Sequence, residues 1–232
     1  MPISPDSTVI FSWGPVTINA TILYTWLVMV LLTVISGLVT RRLSTGPEIS
    51  RWQNFLETIV GTMRDQIAEI HRKNPRRYLP FLGTLFLFIS LANLLAFIPY
   101  YQPPTASLST TAALAVCVFF AVPIFGIAGK GIKNYLRRYI RPTVFMLPFH
   151  VIGEFSRTLA LAVRLFGNIM SGTMIVAILI SVVPFFVPVI MSALGLLIGQ
   201  IQAYIFAVLA AVYIASAART RRQEDEGEPV GE

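Results

Sequence analysis

Cysteine occurs once in 232 residues, at position 117, and histidine twice, at 71 and 150. A lone thiol builds no disulfide framework, and no Cys/His cluster has metal-ligand spacing, so no metal site is expected. Cys117 lies in an apolar run and is expected to be a small core hydrophobe. His71 sits in a basic stretch and His150 at the start of an apolar segment. Each reads as a surface or interfacial residue rather than a ligand. No glycine-rich phosphate loop is present, so nucleotide chemistry is not expected here and no cofactor is implied. Charge is scarce: 12% of residues are charged, against about 25% in soluble chains. Basic residues are absent from 1–39 and from 101–109. An opening stretch without a basic n-region does not read as a cleaved signal peptide. No internal repeat is visible, which argues against an inverted-repeat transporter.

What the chain has is oil. Hydrophobic residues make up 55%, and the mean hydropathy is +0.71. This predicts an all-α polytopic membrane protein forming a single membrane domain over 1–232. The external amino terminus is expected over 1–17. Three spans follow at 18–39, 80–100 and 110–129. Two longer segments, 148–182 and 187–218, form a tilted hairpin around the Pro184-Phe-Phe-Val-Pro188 turn, and 219–232 is a disordered cytoplasmic tail. Between the first two spans, Trp52, Leu56, Ile59, Val60, Met63, Ile67 and Ile70 recur at three and four residues. That is an amphipathic helix, lying on the membrane surface or against a partner.

The net charge of +7 raises nucleic acid as a partner, but the distribution of the charge excludes it. Of the eighteen Lys and Arg residues, eight fall in 40–79, five in 130–141 and three in 219–222. Cytoplasmic loops carry the positive charge. The amino terminus is therefore placed outside and the carboxyl terminus in the cytoplasm, with five membrane segments between them.

Two basic residues remain, Arg157 and Arg164, and both lie inside the fourth segment. Arg164 interrupts a run that is otherwise apolar from Leu159 to Phe166. Arginine stays charged, and at bilayer depth it costs roughly 2.5–3.5 kcal/mol on insertion scales. A snorkelling or internally paired arginine would need no function. Function enters if a partner can be named. On a helical wheel Glu154, Arg157, Asn168 and Ser171 fall within an arc of about 100° that includes Arg164. Glu154 is the only carboxylate in any membrane segment, and at three residues' spacing it can pair with Arg157. Arg164 has no acid at three or four residues, so its counter-charge must come from another helix or another chain. In the fifth segment Ser192, Gly195 and Gly199 lie on the same side as Gln202. Small residues there suit close helix packing. A buried Gln202 amide needs partners, and Arg164 and Asn168 are the natural ones.

These residues carry a resemblance. Arg164-Leu-Phe-Gly-Asn168 on a late, long helix, followed by Gln202-Ala-Tyr-Ile-Phe206 on the last, resembles subunit a of the rotary F-type ATP synthases. The second span, Leu85 to Pro99 with Asn93 within it, and the loop Pro104-Thr-Ala-Ser-Leu-Ser-Thr110 agree. The resemblance covers nearly all of the chain after Ile18. It implies a stator packed on a ring of c subunits, each with a membrane-buried carboxylate, and held by the b subunits of the peripheral stalk in a bacterial inner membrane. It implies two offset half-channels, with Arg164 facing the ring between them. Asn168 and Gln202 match the polar positions beside it. Glu154 joins them as an ion-translocation candidate, with Asn93, Ser107, Arg157, Ser171, Thr173 and Gly195 as channel-lining candidates.

The chain departs from the family pattern at three places. Thr173 and Gly195 stand where many members carry ionisable residues, and Ser107 where an aspartate is common. Either water and hydroxyls conduct protons there, or the coupling ion is sodium, which takes oxygen ligands. The short amino terminus and the amphipathic helix are similar to a sodium-type subgroup. A different class stays open too: a secondary transporter or channel whose Arg164 binds an anionic solute.

Overall fold

The computed structural model describes residues 9–13, 16–41, 51–70, 75–98, 101–131, 146–182 and 186–218. The expected tail over 219–232, most of the second basic loop and His71 lie outside the described residues. The fold is an all-α membrane bundle. Its helices are α1 (Ala20–Thr40), α2 (Arg51–Ile70), α3 (Leu79–Leu95), α4 (Leu108–Lys130), α5 (Met146–Val182) and α6 (Phe186–Ala218). Four of them, α1, α4, α5 and α6, are long and apolar enough to cross a membrane. The apolar α3 is shorter, at 17 residues.

The predicted second segment reached residue 100, but α3 ends at Leu95. Ala96, Phe97 and Ile98 donate instead to carbonyls three residues back, at 3.2, 3.3 and 2.9 Å. Pro99 is the cause, because proline disfavours helical geometry in the residue before it. The predicted turn before α6 is also shorter than expected. The helix begins at Phe186, so Pro188 falls in its first turn, where a missing N–H costs nothing.

The amino-terminal stretch adds one element the helical reading did not contain. Val9–Trp13 (β1) and Val16–Asn19 (β2) pair antiparallel, with Trp13 opposite Val16. Gly14-Pro15, between two β-branched and aromatic runs, was the available signal.

The core lies between α3, α4, α5 and α6. Helix α6 contributes Ala203, Phe206, Ala210, Ala211, Ile214 and Ala217, a seam of small residues that lets neighbouring backbones approach. The helix α5 contributes only Leu161, Ala162 and Leu165. It runs unbroken for 37 residues, about 55 Å at 1.5 Å per residue. A hydrocarbon layer of about 30 Å must take that length up by tilt or gentle curvature. The amphipathic helix α2 docks on its own bundle, packing against α3 and α6. Met63 and Ile67 are buried, and the Tyr204 hydroxyl of α6 donates to Gln66 Oε1 at 2.7 Å. Cys117, expected in the core, is exposed on α4. In a membrane the lipid-facing side is as apolar as the core, so hydropathy does not separate the two.

Candidate functional site

The polar strip predicted on the fourth segment runs along α5, at the border of that helix's buried face. Leu161 and Leu165 are buried at 1% and 0% exposure. Arg164 lies about 100° round the helix from Leu165 and is exposed. Among the described residues no hydrogen bond or ion pair engages its guanidinium. Arg157 and Ser171, two turns to either side of Arg164, are exposed on the same flank, while Asn168 and Glu154, turned further toward the core, are half-buried. The strip therefore has an exposed edge at Arg157, Arg164 and Ser171 and a half-buried one at Glu154 and Asn168.

Each of its other polar groups has a local arrangement. The Arg157 guanidinium lies over the Tyr213 ring of α6, 5.7 Å from the centroid. Ser171 donates to the Asn168 carbonyl at 3.1 Å; Thr173, on the opposite side of α5 from Arg164, donates to the Met170 carbonyl at 2.9 Å, so both hydroxyls are turned back on the helix. Glu154, Arg157 and Thr158 of α5 share a small cleft with Tyr213 and Ser216 of α6 and with Val118, Phe119 and Val122 of α4. Tyr213 and Ser216 were not legible as site residues. A tyrosine in an apolar helix reads equally as core or as membrane interface.

Gln202 is buried at 6% exposure. Its Nε2 has no hydrogen-bond partner among the described residues, and no bond joins it to Arg164 or Asn168, the partners expected from the sequence. Gly195 is exposed, and a Cβ there would meet nothing within 4 Å.

Asn93, expected as a channel-lining candidate, is bonded at both ends of its amide within the chain. It is buried at 4% exposure, its Nδ2 donates to the Gly199 carbonyl at 2.8 Å, and its Oδ1 accepts from Thr105 Oγ1 at 3.1 Å. Ser107 is wholly buried at the start of α4. Its carbonyl accepts from the Thr111 backbone N–H and hydroxyl, each at 3.2 Å, and its own hydroxyl lies 2.6 Å from that of Ser109. Thr21, Thr105 and Thr111 are buried at this same end of the bundle. Tyr101 packs edge-on against Tyr24, with ring centroids 4.9 Å apart. Burial, with Tyr24 adding to it, pushes the Tyr101 phenol well above its ordinary range, so it stays protonated. The described polar groups here are hydroxyls and amides, without a carboxylate or histidine. Among the described residues no group of three or more His, Cys, Asp or Glu could hold a metal ion.

Comparison with known sequences gives a consistent picture. A family profile described as ATP synthase A chain matches residues 22–215. ATP synthase subunit a of Nitrosospira multiformis is 57% identical over 231 residues, covering 100% of this chain and 90% of that protein. ATP synthase subunit a 2 of Acaryochloris marina is 60% identical over 219 residues, with 94% of each chain covered. ATP synthase subunit a of Albidiferax ferrireducens is 57% identical over 226 residues, covering 97% of this chain and 98% of the other.

Proposed function

Because this chain belongs to the ATP synthase A chain family, we propose that it is the ion-channel stator of the membrane sector, with Arg164 the charge that couples ion flow to rotor movement. The observation that carries this reading is the exposed Arg164 on α5, which has no ion-pair partner among the described residues. A charge placed in oil needs a counter-charge, and here it faces away from its own chain. A ring of c subunits, each with a buried carboxylate, supplies one.

The chemistry follows from charge alone. A fixed cation lowers the pKa of a nearby carboxylate by roughly 1–3. An arriving ring carboxylate therefore gives up its ion beside Arg164. The same cation blocks ions from passing straight between the two half-channels, so each must ride the ring. One charge crossing is worth about 2.3 kcal/mol per 100 mV. Asn168 and Gln202 supply the polar wall beside Arg164, and the Glu154–Arg157 cleft lies further along α5 toward its amino-terminal end. The b subunits hold the stator against the torque. With the amino terminus outside and the carboxyl terminus in the cytoplasm of a bacterial inner membrane, that cleft belongs to the inner side. The solute-transporter alternative has no place in a chain of this family.

A second reading concerns the ion. The outer end offers buried hydroxyl oxygens at Ser107 and Thr111, and Thr173 and Gly195 stand where the family resemblance leads one to expect ionisable side chains. That chemistry suits sodium as well as water-borne protons. ATP synthesis measured against sodium concentration, with and without a protonophore, separates the two. The stator reading is tested by Arg164→Ala, which should abolish ion-coupled synthesis while the protein still inserts; continued coupled synthesis would refute it.

A further inference from the structure

Helix α6 packs against α3, and at residues 199 and 200, just ahead of the buried stretch that begins at Ala203, the contact is a polar joint. Two side chains of α3, Asn93 and Ser90, bond to two consecutive residues of α6, Gly199 and Gln200. Asn93 donates to the Gly199 carbonyl at 2.8 Å, and Thr105 in the turn before α4 fixes the Asn93 amide from behind at 3.1 Å. The Ser90 hydroxyl donates to Gln200 Oε1, while Gln200 Nε2 returns a bond to the Ser90 carbonyl at 3.0 Å. Gly199 is the residue the joint requires, since a Cβ there would lie 3.1 Å from Asn93 Nδ2 and 3.2 Å from its Cβ and Cγ.

We propose that this joint is an indexing clamp: Ser90, Asn93 and Thr105 set the rotation and height of α6, and thereby hold Gln202 at the level of Arg164. The proposal rests on the stator reading above. One bond holds the backbone carbonyl of Gly199 and two hold the side chain of Gln200, so together they resist twisting as well as sliding. Gln202 is three residues on from Gly199 and has no bond of its own through Nε2, so its direction is inherited from the clamp. Counted from the connection at 183–185, Arg164 stands about 20 residues before it and Gln202 about 17 after it. In paired antiparallel helices that puts the two within about one turn of the same level. Asn93 is then a positioning residue rather than a channel wall.

The test uses the whole ATP synthase in membrane vesicles, reading ions pumped per ATP hydrolysed and the amount of assembled complex. Asn93→Leu should leave assembly intact and lower the pumping ratio several-fold, and Gln202→Leu should do the same. Placed together they should cost no more than either alone, because one acts through the other. Thr105→Val should repeat the effect more weakly, and Thr105→Ser, which keeps the hydroxyl, should restore it. A wild-type ratio in both Asn93→Leu and Thr105→Val overturns the clamp, as do losses that multiply in the double variant. If Asn93→Leu fails to assemble, the Thr105 pair decides alone. An Arg164→Ala enzyme that still pumps would sink the stator reading instead, whereas its failure to pump beside independent Asn93 and Gln202 effects sinks only the clamp.

Discussion

Helices α5 and α6 are long, apolar neighbours, and each carries a few polar residues. They are built for opposite tasks. In its most apolar window α5 has 6% of residues buried within the chain, and α6 has 39%. The polar residues follow the same division. On α6, Gln200 and the Gly199 carbonyl are bonded into α3, and Tyr204 into α2. On α5, Arg164 is exposed and engages no described partner. Helix α6 is bonded into its own chain, and the flank of α5 that carries Arg164 is exposed. A membrane protein that only needed to fold would have no reason to display a guanidinium on an apolar surface.

The sharpest way to break the comparison is at Arg164. Because its guanidinium is exposed and engages no hydrogen bond or ion pair among the described residues, Arg164→Ala should erase coupled synthesis yet leave thermal unfolding in detergent unchanged. A large drop in stability would mean that α5 is structural after all. Phe206 on α6 is the counterpart. It is fully buried, so Phe206→Ala should destabilise by about 3–5 kcal/mol. Coupling should then fall only in proportion to the complex lost, as measured by c-subunit co-purification against ATP-driven pumping.

Much of this division was legible beforehand, and its limits have physical causes. The spans and the strip of Glu154, Arg157, Arg164, Asn168 and Ser171 follow from hydropathy and a wheel, because charge in oil is rare enough to notice. Which side of each helix faces its own chain did not follow. Lipid and protein core are equally apolar, so Cys117 was assigned inward and is exposed. The partners of Gln202 were assigned to Arg164 and Asn168, whereas the amide hydrogen bonds between α3 and α6 belong to Asn93 and Gln200. Neutral amides and hydroxyls give no sign in a sequence of whether they bond inside the chain or face a channel. The β-hairpin at 9–19 was missed because polarity outweighed the Gly14-Pro15 signal.

Within α6 the comparison can be sharpened with a smaller change. Gly199→Ala gains about 1 kcal/mol of helix propensity. It also drives a Cβ into Asn93 at 3.1–3.2 Å, and crowding a packed site costs about 1–3 kcal/mol. The clash should outweigh the gain, leaving a net loss of about 1 kcal/mol in chemical denaturation, with the pumping ratio falling as well.

Gly195→Ala is the smallest effect and the cleanest control, because it makes the same chemical change one turn away on the same helix. There the added methyl meets nothing within 4 Å, so only the propensity gain of at most about 1 kcal/mol remains. Stability measured by the same denaturation should hold or rise slightly. If the neighbour outside the chain packs tightly against Gly195, assembly of the ring would fall while the isolated subunit stays stable. That split would place Gly195 against the rotor on the displayed side of the hairpin, and extend the exposed face of α5 onto the first turns of α6. If assembly and stability are both unchanged, the glycine faces lipid or water, and the boundary between the displayed and the held surface lies between residues 195 and 199.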